Sequence, residues 1–185
     1  AYEANGAACL SVLTDMQYFQ GSLDHIKVVR SAVALPVMRK DFLIDEYQLY
    51  ESRVAGADAI LLIVAALGSK DLDYMLSVAA GLGMAAVVEV HDEEELQEAL
   101  RTKARLIGIN NRDLHLFRTD IRTTLRLIGQ IPKDRIVISE SGIRKRRDVV
   151  MLAKAGVRAV LVGEALVREA DVGAKVRELL GREDA

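Results

Sequence analysis

The sequence predicts an α/β fold made of repeated strand–helix units, and three features of the chain support this prediction. Short apolar runs rich in Val, Ile and Leu recur roughly every 20 to 27 residues. Amphipathic segments lie between them, and a glycine often marks the change from segment to run. Continuous apolar runs of this kind suit strands buried on both faces of a parallel sheet. Strands that alternate with helices in this way form βα units with right-handed crossovers.

Seven runs are predicted to be strands, and most are too short for helices. They cover residues 8–13 (ACLSVL), 36–38 (PVM), 59–64 (AILLIV), 85–90 (AAVVEV), 105–110 (RLIGIN), 135–140 (RIVISE) and 159–163 (AVLVG).

Helices are predicted between these strands, and their ends carry typical capping residues. Examples are the segments 93–100, 119–128 and 145–154. Asp92 is a plausible N-cap, and the acidic residues after it suit the positive end of a helix dipole. Gly56 and Gly156 stand where a helix should end in the left-handed conformation before the next strand.

Two architectures fit this alternation: a doubly wound open sheet and a (βα)8 barrel, which has eight strands. Nothing in the sequence marks a linker, so residues 1–185 are expected to form a single domain. The first residues, AYEANGA, look like the end of a helix capped by Gly6. The simplest account is an N-terminally truncated barrel with about seven of its eight strands.

Composition excludes several classes of protein. A formal net charge of -2 and the absence of Trp argue against nucleic-acid binding. No apolar run approaches the roughly 20 residues that span a bilayer, and the N-terminus does not resemble a signal peptide. Cys9 is the only cysteine, which excludes an intrachain disulfide and weakly favours a cytoplasmic protein. His25, His91 and His115 lack metal-ligand spacing, so no metal site is expected and each is expected in a loop or facing solvent.

Polar side chains end several of the predicted strands, where sites form in both architectures. Lys40, Glu89, Asn110 and Glu140 each come from a different strand. Their convergence on one site is favoured over a solvated rim, which would more often carry Ser, Thr, Gly and Asp. A glutamate at the end of an apolar strand needs a cationic or hydrogen-bonding partner, and Lys40 is a candidate for both glutamates.

Simpler interpretations exist for the same residues. Lys40 could be a surface lysine in a solvated charged loop, Arg39-Lys40-Asp41. Asn110 and Asn111 could form only an Asx turn, and the run that begins at Glu140 could be only a turn before a helix.

The last two strands suggest an anion site. Gly142 and Gly163 each follow a strand and precede a helix, with Ser141 as a possible hydroxyl donor. In barrels, the loops after strands seven and eight often bind phosphate through backbone N–H groups. Glu164 would be an awkward neighbour for phosphate unless its side chain turns away.

Seven ordered blocks of sequence resemble the indole-3-glycerol-phosphate synthases, a (βα)8-barrel family of tryptophan biosynthesis. The resemblance covers about residues 2–180. The blocks are SVLTDMQYFQGS, PVMRKDFLIDEYQ, GADAILLI, VVEVHDEEEL, IGINNRDL, ISESGI and VLVGEAL.

The resemblance implies ring closure of 1-(2-carboxyphenylamino)-1-deoxyribulose 5-phosphate, a phosphorylated small molecule, with loss of CO2 and water and without a cofactor. It implies Lys40 as general acid on the ketone, Glu89 as proton carrier in the dehydration, and Asn110 as a hydrogen-bonding partner of the sugar. The other implied site residues are Phe19 and Phe42 beside the anthranilate ring, Arg112 near the carboxylate, Glu140 and Ser141 beneath the substrate, and Gly142, Gly163 and Glu164 around the phosphate.

The sequence departs from the family at its start. The family's first strand carries a Glu-x-Lys run followed by Ser-Pro-Ser, and its N-terminal helical extension covers the pocket; neither is present here. We therefore expect this chain by itself to be inactive or nearly so. The complete protein is expected to be a monomer.

Two alternative functions remain open. One is an inactive scaffold fragment. The other is a sibling phosphosugar barrel such as phosphoribosylanthranilate isomerase, which needs a Cys/Asp pair at strand ends. Cys9 begins a predicted strand, which counts against the isomerase.

Overall fold

Seven parallel strands form one sheet in the computed structural model, which describes residues 1–113 and 118–182 except the side chain of Ser69. The strands lie side by side in chain order, β1 to β7, and every neighbouring pair is parallel. They are β1 (Leu10–Leu13), β2 (Val37–Lys40), β3 (Ala59–Ile63), β4 (Ala85–Val90), β5 (Leu106–Asn110), β6 (Ile136–Glu140) and β7 (Ala159–Leu161). Each overlaps its predicted run, so the seven predicted strands are confirmed.

Nine α-helices connect or follow these strands in the described residues. They are α1 (Met16–Phe19), α2 (Asp24–Ala32), α3 (Glu46–Ala55), α4 (Val64–Gly81), α5 (Glu93–Arg101), α6 (Arg122–Leu127), α7 (Arg146–Ala155), α8 (Glu164–Val167) and α9 (Val172–Leu180). Two 3-10 turns, Glu3–Asn5 and Ile128–Gln130, complete the regular structure there. Helix α4 is interrupted at Gly68, whose φ of 67° and ψ of 166° are not helical.

The predicted helix ends are mostly confirmed. The carboxylate of Asp92 accepts the Glu95 N–H at 2.9 Å and so caps α5. Gly56 and Gly156 take left-handed conformations at the ends of α3 and α7, with φ of 99° and 106°. Gly6 likewise has a φ of 94°, although it ends only a three-residue 3-10 turn.

The helix predicted over 119–128 begins too early. Thr119 forms an antiparallel bridge with Arg112, and α6 starts only at Arg122. The reason is local, because Asp120 accepts hydrogen bonds from the backbone and side chain of Arg122 and donates its own N–H to Asn111 O. These contacts hold residues 119–121 against the end of β5.

The sequential strand order separates the two candidate architectures. A doubly wound sheet reverses its strand order at a switch point, whereas a barrel adds strands in sequence. Alternate residues of β3 face opposite layers: Leu62 packs with the helices, and Leu61 packs inside the curl with Met38 and Val87. The fold is therefore a curled, barrel-type α/β sheet of seven strands. Among the described residues, β1 and β7 pair with one strand each.

Within 1–113 and 118–182, no helix combines the length and the apolar character needed to cross a membrane.

Candidate active site

A cavity of about 340 Å³ opens at the carboxyl end of the sheet. Every residue predicted for the site lines it: Phe19, Lys40, Phe42, Glu89, Asn110, Arg112, Glu140, Ser141, Gly142, Gly163 and Glu164. The structure therefore brings the strand ends together as expected for a parallel sheet that curls on itself.

Lys40 lies between two buried glutamates. Its Nζ is 3.1 Å from Glu89 Oε2 and 3.2 Å from Glu140 Oε2. The glutamates are 2% and 1% exposed, which makes a cationic partner necessary for any charged carboxylate there. The partnership predicted for Lys40 is confirmed.

The neighbours of Lys40 serve a different purpose. Arg39 is buried, pairs with Asp41 at 2.9 Å and donates hydrogen bonds to Thr14 and to Ser52 of α3. Side chains alternate along a strand, so only the middle residue of Arg39-Lys40-Asp41 points to the two glutamates. The charged run is therefore neither a solvated loop nor wholly part of the cavity.

Asn110 supports Glu89 and shapes a turn at the same time. Its Nδ2 donates to Glu89 Oε1 at 3.1 Å, and its Oδ1 accepts the Arg112 N–H at 3.0 Å. The Asx-turn interpretation and the site interpretation both hold for this residue. Asn111 instead points into a buried network, where its Nδ2 donates to Ser139 and its Oδ1 accepts from Thr124.

The three charged groups have strongly shifted pKa values. Burial lowers the pKa of Lys40, but Glu140 and Glu89 outweigh it and raise that pKa above its ordinary value. Burial raises the pKa of Glu89, yet contacts with His91, Lys40 and Asn110 prevail and lower it to about 2. Burial raises the pKa of Glu140 to about 7; Lys40 opposes this shift and the charge on Glu89 adds to it. Near neutral pH the set thus contains a protonated amine, a carboxylate and a carboxyl that can still give up a proton.

His91 is a contact of the site that the sequence prediction missed. His91 lies in the loop between β4 and α5, as predicted, but it does not face solvent, because its side chain is 12% exposed and lies between Glu89 and Glu95. The sequence feature that could have identified this contact is the spacing of two residues between Glu89 and His91, because residues two apart in an extended segment lie on the same side. His25 is exposed, as predicted, whereas the prediction for His115 lies outside the described residues.

Two consecutive left-handed residues form the loop after β6. Ser141 has φ of 66° and Gly142 has φ of 77°. A Cβ on Gly142 would lie 2.6 Å from Thr119 Cγ2, so a side chain there would clash as well as strain the backbone. Gly163 precedes the short helix α8 after β7. Both glycines line the cavity where the phosphate was predicted.

The Glu164 side chain is held by two arginines. It contacts Arg112 at 3.1 Å and Arg168 at 2.9 Å. These ion pairs are part-exposed and contribute little to stability. They do, however, neutralise the carboxylate that made Glu164 awkward beside a phosphate.

Aromatic rings form the rim of the cavity. Phe19 and Phe42 stack with centroids 6.4 Å apart, and Tyr18 meets Phe42 edge-on at 5.8 Å. Asp15 caps the short helix α1 that carries Phe19 and Tyr18. The two phenylalanines are 49% and 38% exposed, so an apolar ring could cover them.

Further cavity-lining residues were not predicted. They are mostly apolar or small side chains on strands and nearby loops: Ser11, Leu13, Leu61, Ile63, Ile143, Leu161, Val162 and Ala165, together with the charged Asp41 and Arg144. Strand alternation could have identified Ser11 and Leu13, which flank the buried Val12.

The arrangement supports acid–base chemistry on a ligand with an apolar ring and an anionic end. In the part of the chain that the structure describes, no three His, Cys, Asp or Glu side chains are grouped to hold a metal ion.

Comparison with known proteins gives a consistent result. The family model described as "Indole-3-glycerol phosphate synthase" matches residues 1–179. Proteins of that name are similar over nearly the whole chain. That of Acidithiobacillus ferrooxidans is 56% identical over 96% of this chain and 68% of its own, and that of Rhodopirellula baltica is 52% identical over 97% and 70%. The protein of Dehalococcoides mccartyi is 55% identical over 97% of this chain and 70% of its own.

Solved structures share the fold at low sequence identity. A 3-hexulose-6-phosphate synthase from Salmonella typhimurium has a TM-score of 0.78 and 15% identity over 94% of this chain and 86% of its own. Another structure with that enzyme name has a TM-score of 0.75 and 18% identity, covering 93% of this chain and 86% of its own.

Proposed function

The chain belongs to the indole-3-glycerol phosphate synthase family, and on that basis we propose that its cavity closes the indole ring of 1-(2-carboxyphenylamino)-1-deoxyribulose 5-phosphate. A bond forms between the ring carbon that bears the carboxylate and the ketone carbon. The carboxylate leaves as CO2, and the former ketone oxygen leaves as water. The product is indole-3-glycerol phosphate.

The observation that carries this proposal is the position of Lys40 between Glu89 and Glu140 at the bottom of the cavity. Attack on the ketone places negative charge on its oxygen, which needs a proton. The Lys40 amine is protonated at neutral pH and so holds the proton to be donated. The glutamates raise its pKa, which makes it a weaker acid in the empty site, so the bound substrate must lower this pKa for efficient donation. General acid catalysis of this kind contributes about 10²–10⁴-fold.

Loss of water requires one group to protonate the leaving hydroxyl and another to accept a proton. The carboxyls of Glu89 and Glu140 flank Lys40 and can exchange protons with it through hydrogen bonds. Glu89 is proposed as the proton carrier of this step. Its pKa of about 2 makes it a weak base in the empty site, so the substrate must change the environment of Glu89 if it is to accept the proton.

The remaining predicted residues are proposed to position the substrate. Asn110 hydrogen-bonds the sugar portion, and Arg112 faces the carboxylate that is lost. Phe19 and Phe42 contact the aromatic ring of the substrate. Their rings stack at the cavity rim and are part-exposed, so they offer an apolar surface to it. Glu140 and Ser141 lie beneath the substrate.

The phosphate is proposed to bind between the loops that follow β6 and β7. Gly142 and Gly163 allow the backbone N–H groups to approach an anion closely, and the side chain of Glu164 is held by Arg112 and Arg168. Positioning of both ends of the substrate brings the ring carbon to the ketone, an effect that can exceed that of acid–base catalysis.

The isomerase alternative has less support. Cys9 directly precedes β1, at the amino end of the sheet, and does not line the cavity. It therefore cannot supply the thiol of a Cys/Asp pair at the carboxyl end. We also propose that the protein is cytoplasmic, acts without nucleic acid, and is monomeric when complete.

The test is replacement of Lys40 by alanine in the chain joined to a first barrel strand taken from a relative, followed by a fluorescence assay for indole-3-glycerol phosphate. We expect Lys40→Ala to lower turnover by at least about 10²-fold. Lys27→Ala is the matched control because Lys27 is exposed and pairs only with nearby Asp24 among the described residues. Equal turnover of the two variants would contradict the proposed role of Lys40. If that strand-completed protein folds but does not make indole-3-glycerol phosphate, the proposed function is contradicted.

A further inference from the structure

The two carboxylates that face Lys40 have unequal surroundings. Glu89 Oε1 accepts a hydrogen bond from Asn110 at 3.1 Å and lies 3.2 Å from His91 Nε2. Glu140 Oε1 is buried and has no hydrogen-bond partner among the described residues. Since Lys40 contacts both residues at nearly the same distance, it does not distinguish them.

The ring of His91 is fixed by Glu95, four residues further along the chain. Glu95 Oε2 accepts the His91 backbone N–H at 2.8 Å and lies 3.0 Å from Nδ1. The opposite nitrogen, Nε2, is then directed to Glu89, at ion-pair distance but without the alignment of a hydrogen bond. An imidazole with a carboxylate on each side favours its charged form.

The balance of charges around Glu140, together with its burial, disfavours its ionised form. His91 faces Glu89 and Glu95; Glu89 faces His91, Lys40 and Glu140; and Glu140 faces Lys40 and Glu89. With Lys40 and His91 positive and Glu89 and Glu95 negative, these charges cancel. An ionised Glu140 would add an unbalanced negative charge at a position only 1% exposed, which is costly.

We propose that His91 is a positioning residue that decides which glutamate of the site holds a proton: as an imidazolium it keeps Glu89 ionised, so that the proton stays on Glu140. His91 does not line the cavity, so it acts through Glu89 rather than on the substrate. The inference deepens the proposed function, because the ring closure and dehydration would begin from this single arrangement of protons.

The pKa values agree with this geometry. Burial lowers the pKa of His91, but Glu89 and Glu95 outweigh it and raise it to about 10, so the ring is charged throughout the neutral range. The pKa of Glu140, raised to about 7 mainly by burial, leaves a substantial fraction of that carboxyl protonated at neutral pH.

The test follows the carboxyl carbons of 13C-labelled glutamate by NMR in the ligand-free protein, with signals assigned by Glu89→Gln and Glu140→Gln. In the unmodified chain, Glu140 should titrate near neutral pH and Glu89 only in strong acid. In His91→Gln, the Glu89 midpoint should rise by about one pH unit or more, because the imidazolium charge that favours its ionised form is gone. Nitrogen signals of the His91 ring should show both nitrogens protonated at pH 7 in the unmodified chain.

Two further variants separate this role from a structural one. Glu95→Gln leaves His91 in place but removes its outer carboxylate, so the His91 ring should lose its proton at a lower pH than in the unmodified chain. His25→Gln removes an exposed imidazole and should shift neither the Glu89 midpoint nor that of His91. If His91→Gln does not fold, the protonation of the His91 ring at pH 7 and its shift in Glu95→Gln decide the result.

The kinetic outcome distinguishes this inference from the proposed function. In the chain completed with a first strand from a relative, His91→Gln should lower kcat/KM about 10-fold or more at neutral pH. The same variant should move the alkaline limb of the pH profile of kcat/KM. His91→Lys, which keeps a positive charge, should restore part of the lost kcat/KM. An unchanged Glu89 midpoint in His91→Gln, an unchanged His91 midpoint in Glu95→Gln, or a neutral His91 ring at pH 7 would overturn the inference. Shifted midpoints in a protein with no synthase activity would support the proton arrangement while contradicting the function.

Discussion

Lys40 shows how one position on a strand can decide the character of a site. Its neighbours Arg39 and Asp41 form a pair beside Ser52 of α3, while Lys40 meets two glutamates from strands β4 and β6. A shift of one residue in the register of β2 would exchange these roles. The pairing of Met38 with Ala59 and of Arg39 with Ile60 therefore has a direct functional consequence.

The raised pKa of Glu140 predicts a dependence of stability on pH. A carboxyl whose pKa rises from 4.5 to about 7 on folding binds its proton more tightly in the folded state. Its contribution to stability is therefore lost as pH rises from about 4.5 through about 7. Glu89 has the opposite sign, since its pKa of about 2 means that its contribution is lost only as pH falls below about 4.5.

Glu140→Gln tests this dependence because glutamine stays neutral. Relative to the unmodified chain, the variant should gain about 1–3 kcal/mol in free energy of unfolding between pH 5 and pH 8. Urea unfolding at the two pH values measures it. Glu94→Gln, at an exposed position, is the control. A constant difference between Glu140→Gln and the unmodified chain would mean that Glu140 is ionised throughout this range.

At this scale, the sequence predicted which residues form the site better than it predicted their partners. Lys40, Glu89, Asn110 and Glu140 could be identified because each lies at or next to the end of an apolar strand, and a parallel sheet places such ends together. His91 could not be assigned in the same way. Its burial depends on Glu95 of the next helix, and spacing alone does not show that a side chain turns back toward the strand.

Helix α5 connects an element to the chemistry of the site. Asp92 caps the helix by accepting the Glu95 N–H, and Glu95 in turn holds His91. The beginning of α5 therefore fixes the ring that faces Glu89. The sequence predicted the cap because an aspartate followed by three glutamates suits a helix start.

Asp92→Ala should lower the free energy of unfolding by about 1 kcal/mol, since it removes the only side chain that caps α5 in the described structure. Chemical denaturation measures the loss. Glu94→Ala removes a neighbouring carboxylate that does not cap the helix, and its effect should be clearly smaller. Equal losses in the two variants would indicate that charge at the helix start, rather than the cap, stabilises α5.

The beginning of α6 illustrates what helical periodicity does not reveal. Residues 119–128 have a suitable pattern, but Thr119 pairs with Arg112 and Asp120 binds the backbone around β5. These contacts are tertiary, so no pattern within the segment predicts them. Gly56 and Gly156 were predictable for the opposite reason, because a left-handed helix end is a local requirement.

At the scale of the whole molecule, the sheet order explains both the site and the open edges. Strands β1 to β7 follow one another around a curl, which brings the carboxyl ends of β2, β4, β5 and β6 to one cavity. The edges of β1 and β7 keep unpaired backbone groups among the described residues, and such edges tend to bind another strand. The repeat predicted seven parallel strands but left two architectures open, and the resemblance to the synthase family favoured the barrel. The closeness of Lys40 to both glutamates required the curl.

We expect catalytic activity to depend on an eighth strand that fills the gap between the unpaired edges of β1 and β7. We expect little or no turnover by the 185-residue chain alone, because a barrel of this class closes with eight strands. A first strand taken from a relative and joined before residue 1 should pair with β1 and β7 and complete the cavity wall.

The most direct test is a fluorescence assay for indole-3-glycerol phosphate on the chain alone, on the chain with the added first strand, and on the latter with Lys40→Ala. We expect turnover only in the second protein, with loss of at least about 10²-fold on replacing Lys40. Silence of a folded, strand-completed protein would contradict the proposed synthase activity. Full turnover by the chain alone would contradict the expected need for an eighth strand.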